Sequence, residues 1–355
     1  MKIILNVAAL LLAVATAMPL IRLDGWWIRV FDFPRLQIIS LGLLVLVVLL
    51  FFWNIKNFFE GLVLAILVVA LFYQGYKIFP YSPLAPEQVR STSRATPDTT
   101  LSLLIANVLM SNRDSHALLA IIRDTDPDAI LTLETDSWWE AQLRILEGEY
   151  TYTVKEPLNN RYGMLLHSRL ELVNPEIKFL VKEEIPSIHT QVRLSSGDLI
   201  RLHCVHPRPP FPTEAETSTR RDAELLIVGK EVKHYQQPVI VMGDLNDVAW
   251  SYTTTLFQKT SGLLDPRIGR GMFNSYNAKN PLMRWPLDHI FHSDDFLLVR
   301  MTRGPYFGSD HFPIYIELSL EARAEGLQET PQELETGKKE RVREKIDEVE
   351  QKEKL

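Results

Sequence analysis

The stretch Val239-Ile240-Val241-Met242-Gly243-Asp244-Leu245-Asn246-Asp247 sets a carboxylate and a carboxamide two positions apart, just beyond a short apolar run. The four apolar residues read as a buried strand, and the chain breaks at Gly243. Side chains at i and i+2 can project to one side of an extended backbone, so Asp244 and Asn246 can share a target. A carboxylate can take a proton from water, and an amide can donate to an oxygen that gains charge. Phosphoryl chemistry needs both. The same residue types also make ordinary turns after strands, so the motif gains its meaning from its company.

That company is a set of polar residues at the ends of other apolar runs. Asn107 closes Leu104-Ile105-Ala106-Asn107. Glu134 closes Ile130-Leu131-Thr132-Leu133-Glu134. His206 follows Leu202-His203-Cys204-Val205, and Asp288 opens Leu287-Asp288-His289-Ile290-Phe291. Asp310 and His311 precede the run that begins at Phe312. Singly, each is explained as a turn residue, a solvated acid or a packed imidazole. Together they supply hard oxygen ligands, amide donors and imidazoles, the mixture that metal-assisted phosphoester cleavage uses. His289 and Asp247 adjoin motif residues and read as structural.

The elements that must position these groups lie between about 100 and 320. Strands are expected at 101–108, 129–133, 163–167, 188–194, 199–205, 239–242, 287–292 and 312–318. A helix is expected at 115–124. A second, at 220–235, has helical apolar spacing at Leu225, Leu226, Val228 and Val232. Many strands with a few interspersed helices predict an α/β domain of two packed sheets covered by helices.

Three apolar runs, 1–21, 36–53 and 58–76, fill a first segment of about three transmembrane helices (1–79). Each approaches the ~20 residues that cross about 30 Å of hydrocarbon. Trp26, Trp27, Trp53, Tyr73, Tyr76 and Tyr81 stand at their edges, as interfacial rings do. Ala13-Val14-Ala15 and Ala15-Thr16-Ala17 resemble signal-peptide cleavage sites, and after such a cleavage the second and third runs would remain as an anchor. The Pro-, Ser- and Thr-rich stretch 80–99 reads as a linker. The tail 321–355 is rich in Glu, Lys, Arg and Gln and reads as a solvated helix or a disordered segment. Arg22, Arg29, Arg35, Lys77, Arg90 and Arg94 outnumber Lys2 and Lys56. By the positive-inside rule this count puts the large domain in the cytoplasm, and a cleaved signal would reverse it.

The 355 residues carry a net charge of -6, with no Lys/Arg cluster free of balancing acids. This disfavours a high-affinity nucleic-acid binder. The single Cys204 excludes an internal disulfide framework and a cysteine-rich zinc site.

In order and local context, the polar residues resemble the endonuclease/exonuclease/phosphatase family, the DNase I-like phosphoesterases, over about 101–318. The matching parts are Asn107, Glu134, Gly243-Asp244-Leu245-Asn246, Leu287-Asp288-His289-Ile290 and Ser309-Asp310-His311. His206-Pro207-Arg208-Pro209-Pro210 and the stretch from Gly243 through Asp247, Trp250 and Ser251, with the N-terminal runs, are similar to a bacterial membrane-anchored branch that includes proteins associated with teicoplanin resistance. The family resemblance implies a four-layer α/β sandwich, with in-line attack of water on phosphorus assisted by Mg²⁺ or Mn²⁺. It implies Glu134 and Asp310 as metal ligands and Asp244 as the group that deprotonates water. Asn107 and Asn246 would orient the phosphate, and His206 would contact it. His311 would donate to it as an imidazolium held by Asp288. Arg208, Phe211 and Trp250 would border the substrate.

The membrane-anchored branch implies a multi-pass protein of the bacterial inner membrane with its catalytic domain outside, against the charge count. The signal-like first run permits the same side, and the extracytoplasmic placement is the one adopted. The expected activity is that of a metal-dependent phosphoesterase anchored in the lipid bilayer. It would act on a phosphodiester or phosphomonoester, and a lipid or prenyl phosphate is attractive because anchoring concentrates it. The alternatives are a tethered nuclease acting on DNA or RNA and a non-catalytic scaffold of the same fold. No protein partner is inferred.

Overall fold

The structure, a computed structural model, describes residues 1–52, 57–324, 326–332 and 334–353. Helices α1 (Lys2–Ala17), α3 (Arg35–Phe52) and α4 (Phe58–Ile78) form an N-terminal bundle, with the single turn α2 (Trp26–Arg29) between the first two. The spans Lys2–Leu20, Arg35–Phe52 and Phe58–Tyr81 are long and apolar enough to cross a membrane. Ala9, Leu49, Val63, Leu64 and Leu67 pack at the centre of the bundle, while Phe51, Phe58 and Phe72 face outward. Apolar residues on all sides suit helices that meet lipid. At one end of the bundle Arg35 donates to Asp32 and Gln74, both at 2.8 Å, and Gln74 donates to Thr16 at 3.0 Å. The interfacial reading of Trp53 and the loop charge of Lys56 fall outside the described residues.

The remaining chain folds as strands and helices in this order: β1 (Thr100–Asn107), α5 (Ser115–Thr125), β2 (Ala129–Leu133), α6 (Ser137–Leu143), β3 (Tyr152–Glu156), β4 (Met164–Ser168), β5 (Leu172–Lys178), β6 (Ser187–Arg193), β7 (Leu199–Cys204), α7 (Thr219–Lys233), β8 (Val239–Asp244), α8 (Tyr252–Ser261), β9 (Asp288–His292), β10 (Phe296–Arg303), β11 (Ile314–Leu320) and α9 (Thr336–Glu353). One sheet runs β10-β11-β1-β2-β4-β3 and the other β5-β6-β7-β8-β9.

The layering follows from strand periodicity. Leu101, Leu103 and Ile105 of β1 share one core with Ile200, Leu202 and Cys204 of β7 and with Ile240 and Met242 of β8. The alternate residues Leu104 and Ala106 turn outward beneath Leu118, Ile121 and Ile122 of α5. Val239 and Val241 do the same beneath Leu225 and Val228 of α7 and Phe257 of α8. The result is helix, sheet, sheet, helix, the four-layer sandwich expected.

Register decides where the polar strand ends fall. β1 and β2 are parallel, as are β7 and β8, and each pair is joined through a helix. Their C-terminal ends therefore share an edge. β9 runs antiparallel to β8 with Asp288 opposite Asp244, and β11 runs antiparallel to β1. The beginnings of β9 and β11 thus join the same edge.

Two segments differ from expectation. The stretch 80–99 lies along the domain instead of hanging free. Val89 is buried in the main core, and Arg90 and Thr92 exchange backbone hydrogen bonds with Leu298 at 2.9 Å, covering the outer side of β10. Its composition marks irregular backbone without conferring freedom. The tail contains α9, whose Val342, Ile346 and Val349 recur at helical spacing on an otherwise charged helix and pack against Leu226, Leu256 and Ala223. Lys345 of α9 reaches Asp24 at 2.7 and 2.8 Å and Asp222 of α7 at 2.8 Å. This ties the tail to the loop after α1.

Candidate active site

The shared edge assembles one continuous polar chain. Asn107, the last residue of β1, donates from its amide to Glu134 Oε1 and to Asp244 Oδ2, both at 3.1 Å. Its side-chain oxygen Oδ1 accepts the N–H of Leu109 at 3.0 Å, which fixes the amide orientation. Asp244 closes β8 and takes the Asn246 N–H on its other oxygen at 2.9 Å. Glu134 and Asn246 both adopt left-handed backbone, with φ of 58° and 50°. For a non-glycine residue this conformation costs about 1 kcal/mol or more and persists only where the surroundings impose it. Gly243 has φ of 145°, and a Cβ there would lie 1.9 Å from the Val205 carbonyl oxygen. Only glycine lets β8 run that close to the end of β7.

His311 lies at the centre of the charges. Its Nδ1 meets Asp288 Oδ2 at 2.7 Å, and its Nε2 faces Asp244 Oδ2 at 3.6 Å. Burial opposes a charge on this ring, but Asp288 and Asp244, aided by Asp310, outweigh it and push the pKa up to about 10. Asp244 is raised to about 7 by burial and by the Asp288 charge, against the pull of His311. Burial also raises Glu134; Asn107 and His311 oppose the rise and Asp310 reinforces it. His206 is the contrasting ring. Its Nε2 is 3.9 Å from Asp244 Oδ2, and burial, with the His311 charge, lowers its pKa to about 4. At neutral pH the site thus holds an imidazolium, a neutral imidazole and a carboxylate poised to exchange a proton.

A buried scaffold holds this arrangement. Ser309 donates to the Asn107 carbonyl at 2.7 Å and accepts the His311 N–H at 3.0 Å. Ser275 accepts the Asp288 N–H at 3.0 Å. Arg221 of α7 pairs with Asp247 at 3.1 Å and donates to the Asn246 carbonyl at 2.8 Å. Asp247 also accepts from Ser251 at 2.6 Å, the residue that caps α8. His289 lies between Arg267, 2.7 Å from Nδ1, and the Asp247 carbonyl, 2.8 Å from Nε2. Because Arg267 can only donate, Nδ1 accepts and Nε2 carries the hydrogen. Asp247 and His289 therefore brace the Asp244–Asn246 turn, in keeping with their structural reading.

A cavity of about 460 Å³ opens onto Glu134, His206, Asp244, Asn246, Asp310 and His311. The structure thus gathers these six residues in one cleft, with Asn107 and Asp288 bonded directly behind them. Asn246 commits one amide hydrogen to the Pro207 carbonyl at 3.0 Å, leaving the other for a ligand. Phe211 lines the cavity as expected. Trp250 does not: it is buried against Tyr81, ring centroids 5.8 Å apart, and its indole donates to the Asp32 carbonyl at 2.7 Å. A buried indole N–H needs an acceptor, and the helical bundle provides one, so Trp250 fastens the domain to the bundle. Arg208 stands behind the wall, its Nε 3.6 Å from Glu214 and its guanidinium over the Tyr162 ring; those two residues face the cavity in its place.

The opposite wall is one that sequence reading missed. Trp26, Arg29, Val30, Phe33 and Pro34, from the connection between α1 and α3, line the same cavity. So do Tyr276 and Trp285, stacked at 6.1 Å, with the Tyr276 ring 5.0 Å from His311. The arginines of this connection entered the sequence reading only as topology charges. Nothing in their spacing marks a cleft.

The donor set fits a divalent cation. Asp310 Oδ1 and Asp288 Oδ1 are buried and have no hydrogen-bond partner among the described residues, and the Asp310 charge adds to the cost of ionising Glu134. Hard carboxylate oxygens without partners are what Mg²⁺ or Mn²⁺ takes. Ligand-type atoms of Asp244, Asp288 and His311 also lie within 4.8 Å of one another. Asp288 and His311 already bond each other, however, which leaves Glu134 and Asp310 as the better pair to hold the ion.

The Endonuclease/Exonuclease/phosphatase family model matches residues 104–311. No curated protein matches the chain. Among solved structures, an endonuclease/exonuclease/phosphatase from Beutenbergia cavernae superposes with a TM-score of 0.51 at 17% identity, covering 62% of this chain and 72% of that one. A family protein from Bacteroides thetaiotaomicron gives 0.51 at 18% identity, covering 63% and 96%. D. rerio TDP2, complexed with a single-strand DNA product, gives 0.52 at 17% identity, covering 62% and 100%. At such identities these likenesses show the fold.

Proposed function

This chain belongs to the endonuclease/exonuclease/phosphatase family, whose members are typically phosphoric ester hydrolases that use a divalent metal, and from that premise we propose a membrane-anchored, metal-dependent phosphoesterase. The observation that carries the reading is the unbroken contact chain Glu134–Asn107–Asp244–His311–Asp288 at the floor of one cleft. Glu134 and Asp310 would hold Mg²⁺ or Mn²⁺, which when bound neutralises charge on a phosphate oxygen. Asp244, its carboxylate aimed by the Asn246 N–H and by Asn107, orients the attacking water and takes its proton. His311, kept cationic by Asp288, donates to a non-bridging oxygen as negative charge builds. His206 offers a neutral nitrogen from the other side, and Asn246 its remaining amide hydrogen. A non-catalytic scaffold would have no use for an imidazolium and an elevated carboxylate in contact.

The substrate favoured is a phospholipid or prenyl phosphate. The bundle that carries three membrane-length helices also supplies an apolar wall of the cleft, through Trp26, Val30, Phe33 and Pro34. The nuclease alternative is not favoured by the lining of this cleft, where Arg29 and Arg161 stand beside Glu134, Glu214, Asp244 and Asp310. A bacterial inner membrane, with the domain on its extracytoplasmic side, completes the proposal. The full-length protein in detergent is tested on phospholipids, prenyl phosphates, DNA and RNA, each with Mg²⁺ and with EDTA. We expect Mg²⁺-dependent hydrolysis that is at least tenfold faster on a lipid phosphate than on nucleic acid. Faster cleavage of DNA or RNA would replace the lipid reading with the nuclease one.

A further inference from the structure

Arg29 ends α2, in the connection between the first two membrane-length helices, and is 4% exposed. Its Nε has no hydrogen-bond partner among the described residues. Among the described residues its terminal nitrogens reach Asp24 at 3.5 Å and Asp32 at 3.9 Å, longer than a hydrogen bond. Both acids have closer partners. Asp32 takes Arg35 at 2.8 Å, and Asp24 takes Lys345 at 2.7 and 2.8 Å and Thr219 at 3.0 Å. A guanidinium carries five donors, and burying it without short bonds is costly unless a ligand completes them. Arg29 borders the same cavity as Glu134, Asp244 and His311. The other arginine among the described lining residues, Arg161, is 66% exposed on its side chain and is drawn toward Glu214 at 3.9 Å.

Resting on the phosphoesterase reading, we propose that Arg29 is a specificity-determining residue that binds a second anionic group, so that the cleft selects an amphiphile with two adjacent phosphates, a lipid diphosphate, over the corresponding monophosphate. The planar fork of arginine matches phosphate oxygens two at a time, which a point charge does not. With one phosphate at His311 and the other at Arg29, the hydrocarbon has the Trp26, Val30 and Phe33 side of the cleft to lie against. The exposed Leu20, Leu23 and Trp27 of the same connection continue that apolar surface back toward α1.

The test is equilibrium binding to the full-length protein in phosphatidylcholine nanodiscs, in EDTA so that nothing is turned over. The probes are farnesyl diphosphate, farnesyl monophosphate and inorganic pyrophosphate, and the proteins are wild type, Arg29→Gln and Arg29→Lys. Wild type should prefer farnesyl diphosphate to the monophosphate by about tenfold or more, the scale of one charge-assisted contact. Arg29→Gln should abolish that preference, and Arg29→Lys should leave an intermediate ratio. An unchanged ratio in Arg29→Gln, or no preference in wild type, overturns the proposal. Pyrophosphate binding as tightly as farnesyl diphosphate overturns its amphiphile part and makes a soluble diphosphate the ligand. Should Arg29→Gln fail to show a wild-type melting transition, the ratio for Arg29→Lys decides, and a wild-type value there overturns the assignment. The same wild-type preparation is assayed with Mg²⁺ on bis(p-nitrophenyl) phosphate. Absence of turnover there counts against the phosphoesterase reading, while the binding ratio still judges Arg29.

Discussion

Two buried clusters of imidazole and carboxylate occupy this domain and hold opposite charge states. At the cleft, His311 is bonded to Asp288 and faces Asp244, and stays cationic up to about pH 10. Beneath α7, His189 and His203 face each other across β6 and β7, Nδ1 to Nδ1 at 2.7 Å, and burial drives both well below the usual imidazole range. Their acid, Glu231, is taken by Tyr235 at 2.6 Å and Lys178 at 3.3 Å. Each cluster brings three ligand-type atoms within 4.8 Å, so residue type and proximity do not tell them apart. Place in the fold does. The first lies at strand ends beside a cavity, with carboxylate oxygens left over. The second lies on a sheet face under a helix, its groups spent on one another. An imidazole out of water loses its proton unless carboxylates beside it have no better partner.

The largest expected difference is in turnover. His311→Ala should lower kcat on the best substrate of the panel by about a thousandfold or more, the scale of losing a charged donor to the reacting phosphate. His203→Ala should leave kcat within about twofold and cost about 1–3 kcal/mol of stability, read by denaturant unfolding. Comparable losses of kcat in both variants would erase the distinction between the clusters.

The next difference is in pH dependence. The proposed mechanism uses Asp244 ionised and His311 protonated, so kcat/KM should rise through about pH 7 and fall through about pH 10. Asp288→Asn should lower kcat about a hundredfold and move the alkaline limb down toward the ordinary imidazole value near 6.5. An unmoved limb would show that Asp288 does not hold the charge on His311. Smaller still is the effect on metal affinity. Glu134→Gln or Asp310→Asn should weaken Mg²⁺ binding, measured calorimetrically, by about tenfold, and His189→Gln should not change it. Loss of binding in His189→Gln would assign the ion to the other cluster.

A buried acid with no cation beside it among the described residues completes the contrast. Burial alone raises Glu224 of α7 to about 8, and its Oε1 has no hydrogen-bond partner among the described residues. For an acid whose folded pKa is raised, the favourable contribution is present below the unfolded value near 4.5 and is lost as pH rises through 8. Glu224→Gln should therefore stabilise the protein at pH 8.5 by at least about 1 kcal/mol, with no gain at pH 4. Equal effects at both pH values would mean that burial does not hold Glu224 above its unfolded value.

What could be read from sequence divides along physical lines. The polar half of the cleft was legible because chemistry restricts which residue types can stand at strand ends, and those types recur in one order from Asn107 to His311. The strands read carried continuous apolar runs or, as in β6 and β7, apolar and polar residues in alternation. The three missed, β3, β5 and β10, are all at sheet edges, where one side has no partner strand and polar residues intrude, as Asn174 and Glu176 do in β5. β9 is also an edge strand but is buried along its whole length, and it was found. Trp250 was misplaced because an aromatic ring beside a motif looks the same whether it faces a substrate or a neighbouring helix. The wall from Trp26 to Pro34 was invisible for a related reason: its residues serve a shape, and shape forms only when the bundle docks on Val248, Ala249 and Leu287.

The most direct test of metal-dependent catalysis at Asp244 is phosphoester hydrolysis by Asp244→Asn beside wild type, both full-length in detergent and folded by their melting transitions, on the best substrate of the panel with Mg²⁺ and with EDTA. The structure predicts hydrolysis by wild type in Mg²⁺ and a loss of about a thousandfold or more both in the variant and on chelation. Wild-type rates in Asp244→Asn, or hydrolysis that EDTA leaves untouched, would contradict it.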